Sequence, residues 1–192
     1  AYSKKGAKCF GIDISETMIA QAKVNNPKLE FKVGSVTKLP YKDNSFDIVA
    51  SSLCLDHVKN LKKAIKEMSR VLKKGGYLYY SYKSPVSCLR EYYEDKDYEI
   101  RGIGKFIDKR NNKVIYLGAS GITQNLSWIS DNKLKVYNYP FQIHLKEMIK
   151  NNLELLDVVD CYPIKSYKNI DLEKYKQFSK YPLWVIYVCR KK

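Results

Sequence analysis

The residues best suited to chemistry stand at the ends of apolar runs. The run from Lys8 closes on Gly11-Ile12-Asp13-Ile14-Ser15. A carboxylate at the carboxyl end of a strand can accept hydrogen bonds from both hydroxyls of a ribose, which makes Asp13 a candidate nucleoside ligand. An acid before a helix start also has an ordinary role in complementing the helix dipole. A second stretch runs from Gly34 to Val49, through a turn rich in Pro and Asn, into another apolar run. The loop after Gly34 falls at the carboxyl edge of the expected sheet, where the Ser35 side chain and the Val36 N–H are placed to read the edge of a base. Pro40, Phe46 and Asp47 are assigned to structure, as a fixed turn, a buried ring and a carboxylate tied to nearby backbone amides.

The chain has only two histidines. His57 follows the apolar run 46–53 on the ligand side and is either a proton acceptor or a packing residue. His144, beside Phe141, Leu145 and Met148, reads as a hydrogen-bonded structural histidine. The five cysteines are odd in number and widely separated, so free buried thiols are expected and no zinc site can be built. Aromatic residues between Tyr92 and Tyr139, among them Tyr98, Phe106, Tyr116, Trp128 and Tyr137, either form ordinary hairpin core, line an apolar acceptor site or stack on bases.

The first half alternates strand and helix patterns, the signature of βαβ units around a parallel sheet. Lys8 to Ile14 reads as a strand. Ser15 caps a helix to about Asn25 with Met18, Ile19 and Ala22 on one face, and Leu29 to Val33 is a second strand. Phe46 to Leu53 has the continuous apolar character of a strand buried on both faces. After Asn60, Leu61, Ala64, Ile65, Met68, Val71 and Leu72 recur at helical spacing with lysines outside, and Lys73-Lys74-Gly75 is a stop signal. Tyr77 to Tyr82 is the next strand. Alternating patterns and the turn pairs Asn111-Asn112 and Asp131-Asn132 predict antiparallel hairpins between about 98 and 138, an inserted lid. Pro140 opens a helix to about Asn152, followed by the strand Leu153 to Cys161, a polar Tyr- and Lys-rich connection, and a last strand Leu183 to Cys189.

At 192 residues and 45% hydrophobic content the chain suits one globular domain. It divides into a ligand-binding half (1–85), an inserted region (86–139) and a C-terminal helix with antiparallel strands (140–192). No run approaches the roughly 18 to 20 apolar residues of a membrane span, and Ala1 to Lys8 lacks the apolar core of a signal peptide, so no membrane partner and a cytoplasmic location are expected. A net charge of +15 raises nucleic acid as a partner, but the charge is almost all lysine, scattered along the chain, so that partner is not favoured.

Gly11 to Ser15, the stretch from Gly34 to Val49, Ser51-Ser52-Leu53-Cys54-Leu55-Asp56-His57-Val58 and Arg70-Val71-Leu72-Lys73-Lys74-Gly75-Gly76 together resemble class I S-adenosylmethionine-dependent methyltransferases, in order and in spacing. The similarity is to the small-molecule branch that includes ubiquinone and menaquinone biosynthesis enzymes, and its specific part covers roughly residues 7 to 85. The resemblance implies a Rossmann-like α/β sheet, mostly parallel, with a C-terminal antiparallel strand pair. It also implies S-adenosyl-L-methionine as cofactor and methyl transfer to an oxygen, nitrogen or carbon atom of a small-molecule acceptor. Asp13 would hold the ribose hydroxyls, Ile14 would pack against adenine, Ser35 and Val36 would flank the base, and Ser52 with Leu53 would border the methionine moiety. Catalysis would consist mainly of aligning the acceptor with the methyl group, with a general base optional and His57 as its candidate. Ser35 stands where the family often has an acid, and a neutral hydroxyl accepts more weakly.

In dinucleotide folds the glycine fingerprint precedes the acidic ribose ligand by about 20 residues, which counts back to a position before Ala1. The first strand and its glycine loop are therefore expected to be missing, either because Ala1 is the edge of a larger parent chain or because the gene product is truncated. On that reading the chain alone binds cofactor poorly. The competing readings are a non-catalytic methyltransferase-like binding domain and a nucleic-acid methyltransferase or binder; a nicotinamide-dependent dehydrogenase ranks last because it does not account for the pattern from Leu39 to Val49.

Overall fold

The computed structural model describes residues 3–84 and 139–192 and, between them, strands lying within 98–138, mostly as backbone alone. A parallel pair comes first. Strand β1 (Phe10–Asp13) and strand β2 (Glu30–Val33) are joined by helix α1 (Glu16–Asn25), whose N-cap Ser15 accepts from the Met18 N–H. Of the predicted apolar face of α1, only Ile19 is buried, and Met18 is exposed. A two-stranded sheet is too narrow to cover more than one row of a helix.

The larger sheet has four strands in the order β10-β11-β4-β3. Strand β3 (Phe46–Ser51) runs parallel to β4 (Leu72–Lys83), β11 (Trp184–Lys191) is antiparallel to β4, and β10 (Leu153–Cys161) is antiparallel to β11. This is the expected α/β class with its antiparallel C-terminal pair. β3 is not buried on both faces as expected: it is an edge strand, and Ile48 on it is exposed. Among the described residues no ladder joins β3 to β1; the ring of Phe10 instead meets those of Phe46 and Tyr41 at 5.6 and 6.1 Å. Asp47 also departs from expectation, since its exposed carboxylate pairs with Lys73 at 2.9 Å rather than with backbone amides.

Helix α2 (Leu61–Val71) is capped by Asn60, which accepts from the Lys63 N–H. Its Leu61, Ala64, Ile65 and Met68 are buried against the alternating inward residues Leu78, Tyr80 and Tyr82 of β4. Each of the larger side chains contributes about 2 kcal/mol by leaving water. The helix stops earlier than the signal Lys73-Lys74-Gly75 suggested. Leu72 already pairs with Phe46, and Gly75, at φ +78, lets β4 bulge before Tyr77 takes up the pairing with Ile48. The last carbonyls of α2 find their donor far along the chain: Lys191 Nζ reaches Ser69 O at 2.8 Å, Leu72 O at 2.7 Å and Asn44 Oδ1 at 3.1 Å. Burial draws this ammonium below the ordinary lysine range, with Asp43 opposing.

The hairpin expectation for 98–138 holds at the backbone. β5 (Tyr98–Ile100), β6 (Lys105–Asp108) and β7 (Lys113–Tyr116) form one antiparallel sheet, and β8 (Ile122–Leu126) with β9 (Leu134–Asn138) forms another. The turn pairs Asn111-Asn112 and Asp131-Asn132, with Tyr92, Tyr93 and Trp128, lie outside the described residues. Pro140 caps helix α3 (Phe141–Lys150) as expected. The connection from β10 to β11 holds a helix the sequence reading lacked, α4 (Leu172–Lys180), with Asp171 as its cap.

His144 on α3 is buried, its ring stacked 5.1 Å from that of Tyr187 and its Nδ1 3.0 Å from the Tyr80 hydroxyl. Its hydrogen bonding is only half complete, because Nε2 is buried without a partner. Burial lowers the imidazole pKa to about 4, with the Tyr139 backbone opposing the shift.

Candidate functional site

A cleft of about 510 Å³ opens where the carboxyl ends of β1, β2 and β3 converge. Three chain reversals build it. At the end of β1, Asp13 Oδ1 accepts from the Ser15 N–H at 2.8 Å, which turns the chain into α1 while leaving the carboxylate on the rim. At the end of β2, the Gly34 N–H donates to Asp13 O at 2.8 Å, and a Cβ on Gly34 would come within 2.7 Å of Ile12 Cδ1, so glycine lets the two strand ends close together. At the end of β3, Leu53 adopts φ +52, and its N–H donates to Ser81 Oγ at 2.8 Å. That left-handed residue turns the chain out of the sheet into the short helical turn Leu55–His57.

Asp13, Ile14, Ser35, Val36, Ser52 and His57 all line the cleft, and Leu53 does not. Ile14 presents an apolar side chain 77% exposed, a surface suited to a flat ring. The Ser35 hydroxyl is partly committed, since it accepts from the Thr37 N–H at 3.2 Å and shares a hydrogen bond with Thr37 Oγ1 at 2.9 Å. His57 lies with Nε2 3.7 Å from Asp56 Oδ2, an ion pair when the ring is charged. Asp56 is itself buried, and its Oδ1 has no hydrogen-bond partner.

Arg70 holds the near wall in place. Its guanidinium donates to Glu67 at 2.8 and 2.9 Å, to Asp43 at 2.7 Å, to Tyr41 O at 2.8 Å and to Leu39 O at 3.1 Å, so the loop after Ser35 is fixed to α2. Glu67 also accepts from the Leu39 N–H at 2.9 Å. The Arg70 hydrogen bond holds the Glu67 carboxyl below its usual range.

Sequence reasoning missed Cys54, Lys59 and Asn60, which also line the cleft. The expectation of buried thiols fails at Cys54, which is exposed because it follows the turn at Leu53; Cys9 and Cys161 are half-buried, and among the described cysteines only Cys189 is buried. Crowding around the Cys54 sulfur still raises its pKa, with a Ser51 hydrogen bond opposing and Asp13 and Asp56 adding to the rise. No group of three or more His, Cys, Asp or Glu among the described residues is arranged to hold a metal ion. No helix among them is long and apolar enough to cross a membrane.

Residues 1–80 match a family model described as a methyltransferase domain. The demethylmenaquinone methyltransferase of Renibacterium salmoninarum is 42% identical over 77 residues, which are 40% of this chain and 32% of that protein. The norajmaline N-methyltransferase of Rauvolfia serpentina is 40% identical over 76 residues, 36% of this chain and 26% of that protein. The matched stretch thus spans about a third or less of the length of these curated relatives. Likeness of fold extends further. A putative S-adenosylmethionine-dependent methyltransferase from Listeria monocytogenes superposes with a TM-score of 0.74 at 20% identity, covering 100% of this chain and 83% of that one. An S-adenosylmethionine-dependent methyltransferase from Mesorhizobium loti does so with a TM-score of 0.71 at 19% identity, covering 98% and 83%.

The fold is that of the class I S-adenosylmethionine-dependent methyltransferases. Within it, the first 80 residues match the methyltransferase-domain model and are similar in sequence to demethylmenaquinone methyltransferases.

Proposed function

We propose that this chain binds S-adenosyl-L-methionine in the cleft at the ends of β1, β2 and β3 and takes part in methyl transfer to an oxygen, nitrogen or carbon atom of a small molecule. The observation that carries this is the convergence of Asp13, Ile14, Ser35, Val36 and Ser52 on one cleft within the residues that match the methyltransferase domain. The residues fit a nucleoside: a rim carboxylate for a diol, an exposed isoleucine for a ring face, and a cavity volume within the usual range for small ligands.

When bound, the sulfonium donor supplies an already activated methyl group. Asp13 accepts from the ribose hydroxyls, Ile14 covers the adenine face, Ser35 and Val36 border its edge, and Ser52 flanks the methionine end, while Leu53 serves only to turn the chain at the end of β3. The protein's contribution to rate is alignment of the acceptor atom with the methyl carbon, since that removes most of the entropic barrier. His57, at the mouth of the cleft, takes the acceptor's proton where one is released. Free thiols accord with a cytoplasmic location.

Calorimetric titration of the protein with S-adenosyl-L-methionine tests the reading. Asp13→Ala removes a charged acceptor from two hydroxyls and weakens binding at least about tenfold. Equal affinity in the variant sinks the proposal.

A further inference from the structure

The connection between β10 and β11, residues 162–183, has a surface unlike that of α2. Ile164 and Ile170 on it are 74% and 78% exposed, and Tyr162, Leu172 and Tyr181 are exposed as well. Interleaved with them are five lysines, at 165, 168, 174, 176 and 180, against two acids, Asp171 and Glu173. The acids are matched locally, Lys174 lying 3.5 Å from Asp171 and Lys176 3.0 Å from Glu173, so the connection keeps a positive excess. An apolar groove of about 340 Å³ lies beside these side chains, walled by Tyr162, Ile164, Tyr167, Phe178 and Trp184.

Sheet register places this surface. Cys161 pairs with Trp184 and Trp184 with Lys83, at the carboxyl end of β4, while Ser51 at the end of β3 pairs with Tyr80. The connection therefore projects from the same rim of the sheet as the cleft.

We propose that residues 162–183 are a peripheral docking surface for an anionic lipid bilayer. Exposed aliphatic side chains enter the boundary between headgroups and acyl chains, tyrosines favour that interface, and lysines extend their ammonium groups back to anionic headgroups. The combination selects this partner. A nucleic acid gains from cations and stacked rings but has no use for Ile164, Ile170 and Leu172, and the outer face of α2, with Lys62, Lys63 and Lys66, carries charge with no exposed large apolar side chain among the helix's own residues. Net charge of +15 adds long-range attraction to an anionic surface. The inference stands on this surface alone and is independent of the chemistry proposed for the cleft.

Co-sedimentation with vesicles of phosphatidylcholine, with and without phosphatidylglycerol, tests it. The protein sediments with the anionic vesicles and not with pure phosphatidylcholine. The double variant Ile164→Ser/Ile170→Ser, at positions too exposed to matter for folding, weakens that binding on the order of tenfold. Lys165→Gln/Lys168→Gln weakens it more than Lys62→Gln/Lys63→Gln, which removes the same charge from α2. The proposal is overturned by absence of vesicle binding, by an isoleucine variant that binds as tightly as the parent, or by equal effects of the two lysine pairs, which would mean general cationic adhesion. It is overturned equally by self-association in lipid-free solution that the isoleucine variant abolishes, which would make the occupant a second copy of the chain.

Discussion

The phenol of Tyr139 donates to the carbonyl oxygen of Lys59, so the segment between β9 and α3 is fastened to the wall of the cleft. One strand away, the Tyr82 hydroxyl donates to Tyr137 O and accepts from the Tyr139 N–H at 3.0 Å. Two phenols thus anchor the end of β9 and the residue after it to the body of the fold. Tyr139→Phe keeps the ring and deletes the tie to Lys59. The expected loss is about 1 kcal/mol in urea unfolding, with faster amide exchange at the start of α2. Unchanged exchange there would show that the anchor does not hold the cleft wall.

Burial of His144 makes stability depend on acidity. Its folded pKa of about 4 lies below the ordinary histidine value of 6.5, so the unfolded chain binds more protons between those limits. Stability contributed by the neutral ring is complete above about pH 6.5, declines as pH falls, and is fully lost below about pH 4. A single proton gives a slope of up to about 1.4 kcal/mol per pH unit inside that window. His144→Phe, which keeps a stacked ring, should flatten the urea-midpoint profile there whatever it does to stability at neutral pH.

Arg70 is the hub of the wall formed by Leu39 to Asp43. Arg70→Ala leaves Glu67 with only the Leu39 N–H and removes the guanidinium donor from two backbone carbonyls, at a cost of about 2 to 4 kcal/mol after allowance for its partial exposure. Arg70→Lys recovers little, because a single ammonium cannot reproduce the forked pattern. Chemical denaturation of both variants measures the difference.

Cys54 is exposed at the cleft yet holds its proton more tightly than a free thiol. Alkylation with iodoacetamide, followed by mass spectrometry, should be slow at neutral pH and accelerate only under more alkaline conditions than a model thiol needs. S-adenosylhomocysteine in the cleft should slow it further. Labelling of Cys54 at the rate of a free peptide would contradict the crowding described around its sulfur.

What the sequence disclosed follows the range of the interactions. Ser15 as a cap and the bounds of β10 were legible because caps and alternation are set by residues a few positions apart. Helix α4 leaves little trace in the sequence because its apolar residues, Leu172, Tyr175 and Phe178, are sparse among lysines, and Asp171 is its one capping signal. The exposure of β3 depends on its place at the sheet edge, which no local pattern records. That Asp13, Ser35 and His57 line one cleft is legible because strand ends in an α/β sheet meet on one rim, whereas the bond from Tyr139 to Lys59 joins residues 80 positions apart.

Lys191, by sealing the end of α2, gives the last strand of the chain authority over the first half. During synthesis β4 emerges with one edge bare and α2 with its final carbonyls unmet, and both conditions persist until β11 leaves the ribosome. Some hundred residues of chain separate the two strands, so closure of the sheet waits on a pairing of long sequence separation, the kind that forms slowly.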